Sequence, residues 1–199
     1  MNETIIIDSL KTKLKDCFLR KINDKEEENI VNIISRFESL ENYSLVLLSE
    51  AVEIKNNENS SFLLLLNLHT TFKGIRTPQN ETDISDYELI GLVLLKKKYG
   101  KVLIRPETIE DKINDLFTHL DIDFDFDKKF SRKYCVLADN ESQFRNTISK
   151  QFIETIREIN GLEVEINENV LIVRLRKQFT PENGEIIAHF ITAINNGYN

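Results

Sequence analysis

Four aspartates alternate with apolar residues in Asp121-Ile122-Asp123-Phe124-Asp125-Phe126-Asp127, and an extended backbone with this spacing puts the carboxylates on one side and the apolar groups on the other. A row of carboxylates is hard-cation chemistry, and Asp121, Asp123 and Asp125 are the residues that would meet Ca²⁺ or Mg²⁺. The calcium-loop pattern asks for Gly at its sixth position and Glu at its twelfth, where this chain has Phe126 and Arg132. The run therefore reads as an amphipathic linker pinned by Ile122, Phe124 and Phe126, and no metal is expected there.

Other reactive side chains are scattered. His69, His119 and His189 are the three histidines, and none has a partner at metal-ligand spacing. Cys17 and Cys135 are too few for a disulfide framework, and Cys135 lies in an apolar run where a buried thiol is expected. The chain lacks G-x-S-x-G, G-x-x-x-x-G-K-S/T and G-x-G-x-x-G, and with 6 glycines in 199 residues it has little of the loop chemistry that cradles phosphates. Lys96, Lys97, Lys98, Lys101 and Arg105 cluster about a turn, but the aromatic residues that stack bases on an RNA-recognition strand are missing. With a net charge of −7, nucleic-acid binding is not expected, because that affinity comes from Lys and Arg displacing phosphate counterions. No cofactor is expected.

The elements that position these groups follow from hydrophobic period. Ile7, Leu10, Leu14, Cys17 and Phe18 predict an amphipathic helix over 4–22, and Asp24 with Glu27 predicts a capping box that starts a second helix carrying Ile30, Ile33, Ile34 and Phe37. Tyr43 to Ile54 and Phe62 to Phe72 read as strands around an Asn/Ser-rich turn, followed by a loop from Lys73 to Asp86. In the second strand Leu63, Leu65, Asn67, His69 and Thr71 share a face that turns from apolar to polar, so Asn67, His69 and Thr71 form a candidate binding end. Tyr87 to Lys96 and Lys101 to Arg105 read as a hairpin around Tyr99-Gly100, then a helix carries Ile109 to Leu120. Phe130 to Asp139 reads as a strand, 140–160 as one helix, Gly161 to Lys177 as a hairpin, and Thr180-Pro181 starts a last helix.

The hairpin permits a register argument. A two-residue loop at Glu168-Asn169 sets Leu162 opposite Leu175, Val164 opposite Val173 and Ile166 opposite Leu171, with Glu163 and Arg174 paired on a face expected to be partly wet.

Thr71-Phe72-Lys73-Gly74, Phe130 to Val136, Asp139, Ile148-Ser149 and Leu171-Ile172-Val173 together make residues 40–178 resemble a bacterial domain of unknown function, in which an F-x-G strand end precedes a phenylalanine-anchored strand, a helix and a hairpin. Members of that family often carry membrane-spanning segments, and no such segment is expected here: the longest apolar run, Phe62 to Leu66, is far below the ~20 residues that span a bilayer. The resemblance supplies no activity.

The expectation is one α+β domain over 1–199, divisible into a helical pair (1–40), two β-hairpins (41–105) and an α-β-α-β-β-α unit (106–199). A mainly antiparallel sheet of about seven strands carries three further helices. Its expected role is a non-catalytic cytoplasmic binding or scaffolding protein for a basic or polar protein partner, with no membrane insertion. The alternative is a small-molecule-binding protein or hydrolase with a pocket between sheet and helices.

Overall fold

A computed structural model describes residues 18–55, 60–73, 81–108, 121–175 and 180–197. Its strands are β1 (Phe18–Lys21), β2 (Leu45–Lys55), β3 (Ser60–Lys73), β4 (Glu81–Leu94), β5 (Lys101–Pro106), β6 (Tyr134–Ala138), β7 (Leu162–Asn167) and β8 (Val170–Leu175). Helices are α1 (Asp24–Ile34), α2 (Lys128–Ser131), α3 (Glu141–Thr147), α4 (Lys150–Arg157) and α5 (Pro181–Gly197), with a 3₁₀ turn at Glu38–Leu40. All eight strands join one antiparallel sheet in the order β1-β2-β3-β4-β8-β7-β5-β6.

Because side chains alternate along a strand, each face of the sheet builds its own core. On the first face Leu65, Val93, Ile104, Val164 and Val173 pack with Phe144 of α3, Phe152, Ile153 and Ile156 of α4, and Ile187, Phe190 and Ile194 of α5. On the second, Leu64, Leu66, Leu68, Ile90 and Leu92 pack against Ile30 and Ile34 of α1 and against Phe37 and Leu40. Each such fully buried aliphatic or aromatic side chain contributes on the order of 1.5–3 kcal/mol.

Gly91 shows how closely α5 sits on the sheet. A Cβ there would lie 2.7 Å from Ile191 Cγ2, 2.8 Å from Val173 Cγ1 and 2.9 Å from Ile187 Cγ2. Gly91→Ala is expected to destabilise the fold by about 1–3 kcal/mol through overpacking. A urea unfolding midpoint equal to wild type would contradict that seating of α5.

The β7–β8 hairpin has the expected two-residue loop and register, including Glu163 opposite Arg174. Other expectations need correction. The eighth strand is β1, where a helix over 4–22 was expected. Its backbone pairs with Val52–Lys55, and Arg20 reaches both Glu53 (2.5 Å) on β2 and Glu26 (2.6 Å) on α1, so tertiary partners override the helical period. The rest of that expected helix lies outside the described residues, as do the turn at 56–59, the centre of the 73–86 loop and the helix expected over 109–120. The capping box forms one residue early: Asn23 Oδ1 accepts from the Glu26 amide (3.0 Å) and Glu26 Oε2 accepts from the Asn23 amide (2.9 Å).

Glu81 to Asp86, expected in a loop, belong to β4 and pair with β3. More consequential, β4 and β5 do not form a hairpin. The β7–β8 hairpin inserts between them, and its turn is held by the connecting segment through Leu95 N–H to Asn169 O (2.7 Å), Tyr99 N–H to Glu168 O (2.9 Å) and Glu168 N–H to Gly100 O (2.9 Å). Phe130 and Ser131 belong to α2, so β6 starts only at Tyr134. The expected single helix over 140–160 is two helices. Ile148 is extended (ψ 137°) and Ser149 caps α4 by accepting from the Phe152 amide (3.2 Å).

Candidate groove on the second sheet face

On the half of the second face beside α1, alternate residues of four strands converge: Leu103 and Arg105 of β5, Leu137 of β6, Glu163 and Glu165 of β7, and Arg174 of β8. Arg36, Glu38 and Ser39 form one wall, and the groove so enclosed measures about 560 Å³. The wall is tied on by polar contacts. The Glu165 carboxylate accepts from the Glu38 amide (2.9 Å) and the Ser39 amide (3.2 Å), Asn167 Nδ2 donates to Arg36 O (3.2 Å), and Lys101 Nζ donates to Glu38 Oε1 (3.0 Å). Beyond those ties, the exposed Arg36 guanidinium has no partner among the described residues.

At the inner end lies an ionic network. Arg174 Nε donates to Glu163 Oε1 (2.7 Å), Arg174 Nη2 binds the same oxygen, and Arg174 Nη1 lies 3.6 Å from Glu88 Oε2. Glu163 is 3 % exposed while Arg174 is half-buried, so at this pair the face expected to be partly wet is closed on its Glu163 side only. The guanidinium at hydrogen-bond distance offsets the cost of burying this carboxylate. Burial raises the Glu88 pKa above the usual carboxylate value, opposed by Arg174 and reinforced by Glu163 and Asp86. Tyr43 is also raised, first by burial and then by Glu88.

A carboxyl whose folded pKa exceeds its unfolded value holds its full relative stability below the unfolded pKa and loses it as pH rises through the folded one. Wild type is therefore expected to lose stability relative to Glu88→Gln as pH rises from about 4 to 7. Parallel urea unfolding of the two proteins over that range checks it; a constant difference would contradict the raised pKa.

The residues singled out in sequence do not meet in this groove. Asn67 and His69 lie on the first face of β3, opposite Leu47 and Leu45 of β2. Asn67 Nδ2 donates to Tyr87 Oη (3.3 Å), while Asn67 Oδ1 is buried without a hydrogen-bond partner. Thr71 continues β3 opposite Asp83. In the acidic run, Asp121 Oδ1 accepts from the Val136 amide (2.5 Å), whereas the Asp123 and Asp125 side chains are exposed. Ile122 and Phe124 are buried as expected, but the alternation ends in a turn that leaves Phe126 46 % exposed and buries Asp127. Asp127 caps α2 by accepting from the Phe130 amide (3.0 Å), and its other oxygen binds Arg157 (2.5 Å). Among the described residues no three His, Cys, Asp or Glu side chains gather as metal ligands. Cys135 is buried and forms no disulfide among the described residues, and His189 is exposed on α5; Cys17 and His119 lie outside the described residues.

Sequence reasoning missed Arg36, Glu38, Lys101 and Glu165 as a group. The alternation of Glu163, Glu165 and Asn167 on one face of β7 was the available signal; the docking of residues 36–39 over it is non-local.

The antiparallel sheet, helical on both faces, defines an α+β protein. No family model matches the chain, and no curated protein does. Among solved structures it is similar in fold to the crystal structure of the mycobacterial trehalose monomycolate transport factor A, TtfA, with a TM-score of 0.51 at 8 % identity over 96 % of this chain and 93 % of that one.

Proposed function

We propose that this chain is a non-catalytic binding or scaffolding protein of the cytoplasm whose groove receives a polar segment of a protein partner. The observation that carries the reading is the groove's composition: an apolar floor of Leu103 and Leu137, carboxylates already committed to backbone amides, to Lys101 or to Arg174, and at the rim the Arg36 guanidinium, unengaged among the described residues. Apolar floor and polar rim are the anatomy of a recognition surface. The net charge of −7 favours a basic or polar partner by long-range attraction. The rival, a small-molecule-binding protein or hydrolase working between sheet and helices, needs space on the first face where Ile104, Phe144, Ile153 and Val164 stand fully buried.

TtfA is named a transport factor, which accords with a binding role for this fold, although a shared fold does not carry a function across. Among the described residues no helix is long and apolar enough to cross a membrane.

The test is capture from native lysate by wild type and by an Arg36→Ala variant. Arg36 is exposed and its side chain ties down no element among the described residues, so the variant keeps its fold. One stoichiometric partner retained by wild type and weakened at least about tenfold by the variant is expected. Equal capture by both, or a catalytic turnover that the wild type performs, would refute the proposal.

A further inference from the structure

A second concavity, of about 580 Å³, lies between α2 and the C-terminal end of α4, away from the groove, and is lined by Phe126, Asp127, Lys128, Lys129, Lys133, Arg157 and Glu158. Its two carboxylates are already engaged by one residue: Arg157 binds Asp127 (2.5 Å) and Glu158 (2.9 Å). Lys128 and Lys129 are exposed and make no hydrogen bond or ion pair among the described residues. Lys133 Nζ donates to Arg157 O (2.5 Å), fixing its ammonium at the pocket wall. The pocket thus holds a local cationic surplus in a chain of net charge −7. Burial lowers the Lys133 pKa, with Glu158 opposing the shift and Arg157 adding to it.

Phe126 supplies the other half of the chemistry. It is 46 % exposed and its ring is braced edge-on against buried Phe124 at 5.3 Å, with Lys150 Nζ 5.3 Å from its centroid. A large apolar side chain held at the rim of a cationic pocket can cover an apolar group attached to an anion.

We propose that this pocket binds a phosphate-type anion carried on an aromatic or apolar group, the phosphate meeting Lys128, Lys129 and Lys133 and the attached group resting on Phe126. Lysine ammonium groups act as point charges on phosphate oxygens and need no bidentate geometry. A flat anionic bilayer fits less well. Asp123 and Asp125, exposed on the other side of Lys128, would be pressed against its headgroups, whereas a single anion entering the pocket avoids them.

The experiment is an amide-shift titration of the full chain with phenyl phosphate, inorganic phosphate and phosphatidylglycerol vesicles. Saturable shifts confined to residues 126–133 and 157–158 are expected with phenyl phosphate, about tenfold tighter than with inorganic phosphate. Lys128→Ala/Lys129→Ala, exposed and structurally neutral, is expected to weaken phenyl phosphate at least about tenfold, and Phe126→Ser to bring it to the level of inorganic phosphate. The absence of saturable shifts at millimolar ligand, an unchanged affinity in the double variant, or binding to vesicles alone would each overturn the assignment.

Discussion

Replacing Arg174 by Leu is expected to destabilise the protein by about 3–5 kcal/mol, because it removes a guanidinium hydrogen-bonded to a buried carboxylate. Glu163 is 3 % exposed and Arg174 supplies two of its nitrogens to one Glu163 oxygen. Glu88, 22 % exposed in its side chain, loses its partner too, though water reaches it. The sign reverses when both ends are removed. Glu163→Met with Arg174→Leu places two apolar side chains opposite one another in the β7–β8 register and is expected to recover most of the loss. Urea unfolding of both single variants and the double variant gives the coupling directly. A single-variant loss below about 1 kcal/mol would mean that the pair is solvated and the groove's inner end more open than described.

Phe130→Ala is expected to cost about as much, on the order of 3–5 kcal/mol, by a different cause. Phe130 is fully buried, stacked on Tyr134 at 5.2 Å and edge-on to Phe124 at 5.6 Å, so truncation removes contacts to both the linker and β6. The same change should loosen the acidic linker from the sheet edge. There the Ile122 amide donates to Val136 O (2.9 Å) and the Val136 amide donates to Asp121 Oδ1 (2.5 Å). Hydrogen exchange at those two amides should accelerate more than at Val164 and Val173 in the sheet interior. Uniform acceleration would show that linker and sheet open together.

These two sites also show which parts of the structure were legible in the sequence. The β7–β8 register was readable because a tight turn and strict alternation leave a single pairing that keeps charge out of the core. α5 was equally plain, with Thr180 accepting from the Asn183 amide (3.2 Å) and Ile187, Phe190 and Ile194 on its buried stripe. Errors arose where a local signal competed with a distant partner. Tyr99-Gly100 looks like a hairpin turn, yet Gly100, at φ +76°, brings the chain beside Asp139 and the β7–β8 turn instead. Phe18 to Lys21 continue a helical period but meet Val52–Lys55 of β2. The break at Ile148-Ser149 was signalled by a β-branched residue before a capping serine, a signal that the apolar period on either side obscured.

For the groove, the sequence showed which residues share a strand face and could not show that residues 36–39 would wall it. The acidic alternation was visible and was correctly read as burial for Ile122 and Phe124. It misled at Phe126, where the chain turns to let Asp127 cap α2 and hold Arg157. Proximity of Lys128, Lys129 and Lys133 to that exposed ring depends on the turn, and no periodicity encodes it.

Hydrogen exchange of the chain with and without its captured partner tests the groove as a recognition surface most directly. Protection is expected in residues 36–41, 101–105 and 163–167, with little change at the distal first-face end around Leu45, Leu47 and Asn67. Protection confined to that distal end, with the groove segments unchanged, would contradict the account.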